Sequence, residues 1–363
     1  MSKAAALPPT LQTLQAGRGL AALIVVLFHL NGSIFGLDKY FPQQIWQGFM
    51  FGHAGVEYFF VLSGFIIAHI HWKDIGLPSR LRSFAAKRFV RIYPVYWLVL
   101  AVLLPIYFFV PAFAKDAPHG FIHLFGDLSL LPTPTGTTLV VAWTLKHEIL
   151  FYAGFACLIA APRFGIALMA VDLLGAAWVF AGNSVLPPEG GVPTVSLLPV
   201  IFSPLHFLFL YGALCAWAVR HGRVEHPWVP ALAGIGIFLA TGMYESFALN
   251  GEWTLWGSQL YGLGSALALL GFIELERSGH IKVPAFLILL GDASYGLYLI
   301  HFPLLSLLAK IVIAAHLPDF LPPGLIFVIM AAVAVAAGIV FHLLFEKPIL
   351  RKLKPASRRK SPA

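Results

Sequence analysis

Charge is what this sequence has least of. Asp, Glu, Lys and Arg make up 11% of its 363 residues, against roughly 25% in a soluble globular domain. That deficit excludes a well-solvated enzyme domain. The formal net charge of +8 forms no broad face able to grip a nucleic acid; it gathers in a few short connections and at the C-terminal end. Cysteine is nearly missing. Cys157 and Cys215 both fall in apolar runs, where they read as small packing residues rather than a disulfide or a metal pair. No metal site is expected. No internal repeat is visible, which argues against an inverted-repeat transporter. No stretch is polar and long enough to form a second soluble domain. MSKAAALPPTLQTLQAGR is too polar for the core of a signal peptide, so no cleaved leader is expected.

What the sequence has in abundance is apolar length. Hydrophobic residues reach 59% and mean hydropathy is +0.83, values of a chain that lives in lipid. About ten segments stand out, at 18–36, 46–70, 92–113, 138–161, 164–182, 200–219, 228–247, 254–273, 284–315 and 321–344. Most match the length a bilayer needs, and Pro303 should kink the long ninth one. The expected fold is all-α and polytopic. Residues 1–17 form an N-terminal segment, 18–348 the membrane domain and 349–363 a basic tail.

Cations set the orientation. Lys73, Arg80, Arg82, Lys87, Arg88 and Arg91 follow segment two, Arg220 and Arg223 segment six, Arg277 and Lys282 segment eight. Lys347, Arg351, Lys352, Lys354, Arg358, Arg359 and Lys360 follow segment ten. With an even number of spans these all lie on one side, which the positive-inside rule makes cytoplasmic. Both termini are therefore expected inside, with KPASRRKSPA resting on anionic lipid. The opposite connections hold few cations; the longer ones are 114–137 and the Pro/Gly-rich stretch 187–193.

Four ionisable groups interrupt the apolar runs at converging depths: His29, Glu57, Glu148 and His301. At about 1.5 Å per residue, His29 lies roughly 16 Å beyond Arg18, half of a hydrocarbon core of about 30 Å. Plainer uses exist. Glu57 or Glu148 could pair with Lys146, His53 or His147, and His301 could cap carbonyls freed by Pro303. Four such groups at one level are better explained by a water-accessible active site. On the cytoplasmic side Arg88 and Arg91, three apart, share a helix face able to grip phosphates, with Lys87 four before Arg91. Basic loops are also ordinary topology signals, so that reading leans on the aromatic context RFVRIYPVY. A carrier such as coenzyme A would link the two regions, its polyphosphate on the arginines and its acyl arm reaching the histidine.

These blocks carry a resemblance. Arg18 and His29 with ten residues between them, GVEYFFVLSGFII at 55–67, RFVRIYPVY at 88–96, WTLKHEILFY at 143–152, SYGLYLIHFP at 294–303 and FEKP at 345–348 follow one another in order. In this the chain resembles the acyltransferase 3 family of membrane-bound O-acyltransferases of cell-surface sugars. The resemblance implies acyl-coenzyme A as donor, acetyl by default, and a carbohydrate or lipid-linked glycan hydroxyl as acceptor. It implies a bacterial plasma-membrane location. It makes His29 the candidate catalytic residue, as general base or acyl carrier, Glu148 the buried glutamate of the Trp-Ser/Thr-Leu block that would orient or charge-stabilise the imidazole, and Arg18, Arg88 and Arg91 the donor-binding cations. Glu57 stands where many relatives have Asp. No hydrolase-like domain follows the membrane part, which points to a single module or one that relies on a partner. Acylation of a small glycosylated metabolite such as a macrolide is the nearest alternative. A proton-coupled transporter or flippase using the same His and Glu groups is the alternative from another class.

Overall fold

In hydrocarbon, backbone N–H and C=O groups must be satisfied within the protein, which leaves helices as the natural form for these apolar runs. The computed structural model describes residues 11–110, 120–182 and 198–353. The chain folds as an all-α polytopic membrane protein. Its helices are α1 (Gln12–Ser33), α2 (Gly55–His71), α3 (Leu81–Phe109), α4 (Phe121–Ser129), α5 (Trp143–Ala160), α6 (Pro162–Gly182), α7 (His206–His221), α8 (Trp228–Met243), α9 (Leu255–Arg277), α10 (Ala285–Ala314), α11 (Pro323–Phe341) and α12 (Lys347–Leu353). Among the described residues, eight helical stretches are long and apolar enough to cross a membrane. Two more of the ten expected segments are helical but fall outside that group. α5 is interrupted by Lys146, His147 and Glu148, and α7 has only 16 residues. The connection 187–193, residues 1–10 and the tail KPASRRKSPA lie outside the described residues.

Several boundaries differ from the apolar runs for identifiable reasons. α1 starts six residues before Arg18, because the Glu276 carboxylate accepts from the N–H groups of Gln12 (2.7 Å) and Thr13 (2.9 Å) and from Thr13 Oγ1 (2.6 Å). Those are orphan donors at a helix start, where a negative charge is favoured. α3 extends back to Leu81, so the basic stretch is helical and Arg88 and Arg91 sit on the same rod as the apolar part. The sixth segment breaks between Ile201 and His206, around Pro204.

The connection 114–137 contains α4, which an apolar-length criterion cannot find. Its C-terminal end meets the middle of α3. Tyr93 and Tyr96 donate their hydroxyls to the carbonyls of Ser129 (2.6 Å) and Asp127 (2.8 Å), and Trp97 Nε1 donates to that of Leu128 (2.9 Å). These are the carbonyls a helix end leaves unsatisfied. The chain thus folds back along α3 before α5 begins. The irregular backbone that follows is held by the buried Asp127, which accepts from the N–H of Thr138 at 3.0 Å and from its hydroxyl. Non-helical backbone at such a place requires this kind of internal satisfaction.

Packing between helices relies on small residues. α2 and α7 meet through Gly64 and Gly212: a Cβ on Gly64 would come within 2.1 Å of the Phe209 carbonyl oxygen, and one on Gly212 within 1.9 Å of that of Val61. α1 and α10 meet the same way, with Gly291 against the Gln15 carbonyl.

Candidate active site

His29 and His301 are brought together by the α1–α10 contact. Their rings lie 5.0 Å apart, centroid to centroid, and His29 Nδ1 is 3.2 Å from His301 Nε2. The proton positions follow from the carbonyls around them. His301 Nδ1 faces the carbonyls of Tyr298 (2.8 Å) and Leu297 (3.2 Å), so it carries hydrogen and Nε2 is the acceptor of the neutral ring. His29 Nδ1 faces the Val25 carbonyl at 3.0 Å and therefore carries hydrogen as well, shared with His301. That leaves Nε2 of His29 as the acceptor of a half-buried ring flanked by Phe28 and Phe302, with no hydrogen-bond partner among the described residues. His301, by contrast, is fully buried.

A cavity of about 240 Å³ opens among α1, α2, α3, α5 and α10, and Arg18, Arg88, Arg91 and Glu148 line it together. Aromatic faces hold two of these cations, Arg88 over Tyr152 at 5.8 Å and Arg91 over Tyr295 at 5.1 Å. Arg18 donates to Gln15 at 3.2 Å. Glu148 accepts from Ser63 Oγ at 2.8 Å and from the Tyr152 hydroxyl. Those bonds anchor it in the arginine cavity rather than to either imidazole. Phe59, Thr144 and Tyr298 also line the cavity. The Tyr298 hydroxyl lies 3.0 Å from Thr144 Oγ1 and its ring 5.8 Å from that of His301, one helical turn further along α10.

Glu57 belongs to a third, sealed cluster. It is fully buried, accepts from Ser258 Oγ at 3.0 Å and lies 3.6 Å from His53 Nδ1. His53 Nε2 is 3.3 Å from Glu245, which also accepts from Tyr261 (2.8 Å) and from Thr254 through its N–H (3.0 Å) and hydroxyl (2.8 Å). The Phe28 ring stands between His53 and His29, 5.7 Å from the first and 5.0 Å from the second. Lys87 is exposed on α3 and does not line the cavity. Lys146 and His147 pair with neither Glu57 nor Glu148. Lys146 lies 3.4 Å from Thr133 Oγ1 and from the Thr135 carbonyl, and His147 Nδ1 is 3.1 Å from His206.

Sequence reasoning passed over Ser63, Tyr152, Tyr295 and Tyr298. All four lie inside the quoted blocks, and only their facing was missing. It also passed over Glu346, the acid of FEKP, which pairs with Arg91 at 3.3 Å.

The family model described as an acyltransferase domain matches residues 11–343. The chain is 32% identical over 314 residues to the exopolysaccharide production protein ExoZ of Rhizobium meliloti (strain 1021), covering 84% of this chain and 91% of that one. It is 24% identical to the acyltransferase MdmB of Streptomyces mycarofaciens, over 98% and 97% of the two chains. Similarity to the peptidoglycan O-acetyltransferase OatA of Listeria monocytogenes is 27% identity, over 80% of this chain and 48% of that protein. No solved structure matches the chain.

Proposed function

From the premise that this chain belongs to the acyltransferase 3 family, we propose that it is a plasma-membrane O-acyltransferase. It takes an acyl group, acetyl by default, from cytoplasmic acyl-coenzyme A. It delivers that group to a hydroxyl of a cell-surface carbohydrate or lipid-linked glycan. The observation that carries the reading is the join between two regions: a cavity lined by Arg18, Arg88 and Arg91 is also lined by Tyr298, one turn from the His301–His29 pair. Guanidinium groups suit phosphates, and the acyl arm would run toward Tyr298. The distribution of cations supports cytoplasmic termini and donor entry from the inside. Similarity to an exopolysaccharide protein over most of both chains supports a glycan acceptor.

In this mechanism Nε2 of His29 removes the proton from the acceptor hydroxyl as its oxygen attacks the thioester carbon. The new C–O bond forms, the C–S bond breaks, and the coenzyme A thiolate takes the proton back from the imidazolium. His301 fixes the tautomer through the 3.2 Å contact and shares the charge. Glu148 lies on the donor path, where its carboxylate balances part of the arginine charge. Coenzyme A release by the purified full-length protein, supplied with acetyl-coenzyme A and membrane glycan, tests the assignment. His29→Ala should lower turnover by about a hundredfold or more. A folded His29→Ala protein with wild-type turnover would overturn it. Mass spectrometry of surface glycan from cells with and without the protein identifies the acceptor.

A further inference from the structure

Of the three arginines in the cavity, only Arg91 has a carboxylate partner among the hydrogen bonds and ion pairs of the described residues, and that partner comes from the far end of the chain. After α11 the helix widens into one π turn, His342–Glu346, before α12. Glu346 ends this turn, fully buried. A buried carboxylate is costly unless donors surround it. Glu346 has three: Arg91 Nη1 at 3.3 Å on Oε1, and His342 Nδ1 at 2.9 Å with the N–H of Gly296 at 3.3 Å on Oε2. They belong to α3, to the π turn and to α10. The neighbours of Gly296 in sequence, Ser294, Tyr295 and Tyr298, line the cavity that Arg91 also lines.

The Arg91 guanidinium is therefore fixed twice, by its edge on Glu346 and by its face over Tyr295. A guanidinium has five N–H donors, and one carboxylate contact leaves most of the fork for another anion. At about one-third exposure, the group is reachable from the cavity. Arg88 differs. Its Nε is buried with no hydrogen-bond partner, and a ring face is its contact.

We propose that Glu346 is a positioning residue that holds the guanidinium of Arg91 in the orientation that receives a donor phosphate. Glu346 does not touch the donor. It acts through Arg91, and so ties the C-terminal π turn to donor affinity. The inference rests on the reading of the cavity as the donor site.

The test is equilibrium binding of radiolabelled acetyl-coenzyme A to the detergent-purified full chain, for wild type, Arg91→Gln, Glu346→Gln and the double variant. Arg91→Gln should weaken binding about tenfold. Glu346→Gln should weaken it by a comparable factor, and the double variant should be no weaker than Arg91→Gln alone, because the two residues act as one unit. kcat at saturating donor should stay within about threefold in Glu346→Gln, a split that general damage to the fold does not produce. If Arg91→Gln binds weakly while Glu346→Gln keeps wild-type affinity, the positioning role is overturned and the donor site stands. Effects of the two single variants that multiply in the double overturn it as well. Wild-type affinity in Arg91→Gln would instead remove Arg91 from the donor site, and the inference with it. Should Glu346→Gln fail to fold, Glu346→Asp keeps the charge but withdraws it; weakened binding then supports the role and wild-type binding overturns it.

Discussion

Glu57 and Glu148 look alike in the sequence: each is a lone carboxylate in an apolar run, at similar depth. In the structure they live in opposite surroundings. Glu57 is sealed, and its neighbours Ser258, His53 and, through His53, Glu245 are all protein. Glu148 is half-buried on the wall of the arginine cavity, with one oxygen bonded to Ser63 and Tyr152. A carboxylate enclosed by its own protein holds elements together, whereas one that faces a cavity is available to something that enters. Depth alone does not assign a role to a membrane acid.

That contrast can be broken by experiment. The reference point is His29→Ala, for which turnover should fall by about a hundredfold or more in the coenzyme A release assay. Glu148→Gln should come next, with about a tenfold loss of turnover and a melting midpoint unchanged in detergent. Glu57→Gln should reverse the pattern. Its melting midpoint should drop, consistent with a disturbed buried network worth about 1–3 kcal/mol, while the turnover of the folded fraction stays within about threefold. A Glu57→Gln protein that melts normally yet loses more turnover than Glu148→Gln would dissolve the distinction. Lys87→Ala should matter least, within about twofold in donor affinity, because Lys87 is exposed and off the cavity wall. A larger loss there would mean that the donor site reaches beyond the arginines that line the cavity.

Most of the fold was legible because lipid imposes a simple length rule. Helices form where the apolar runs lie, and their edges shift where polar side chains satisfy backbone groups, as Glu276 does for α1. α4 was not legible. It has nine residues, and what fixes it is three side chains of α3 reaching its carbonyls. Within the site, the spacing from Arg18 to His29 could be read as a distance, but not which way each ring or carboxylate faces. So the pairing of His29 with His301 could be read only as a shared level. The bonding of Glu148 to Ser63 and Tyr152 could not be read at all. The link between Arg91 and Glu346 spans 255 positions, and no local pattern announces it.

The glycine contacts at Gly64, Gly212 and Gly291 have a consequence for motion. With neighbouring backbone where any side chain would stand, α1 cannot slide along α10, nor α2 along α7, without a collision. α1 carries Arg18 and His29; α10 carries Tyr295, Tyr298 and His301. The two ends of the proposed route are thus mounted on one closely packed helix pair. Transporters that rock one bundle against another carry a site from side to side. The proposed acyl transfer needs no such rocking, so crosslinks between α1 and α10 should leave it running.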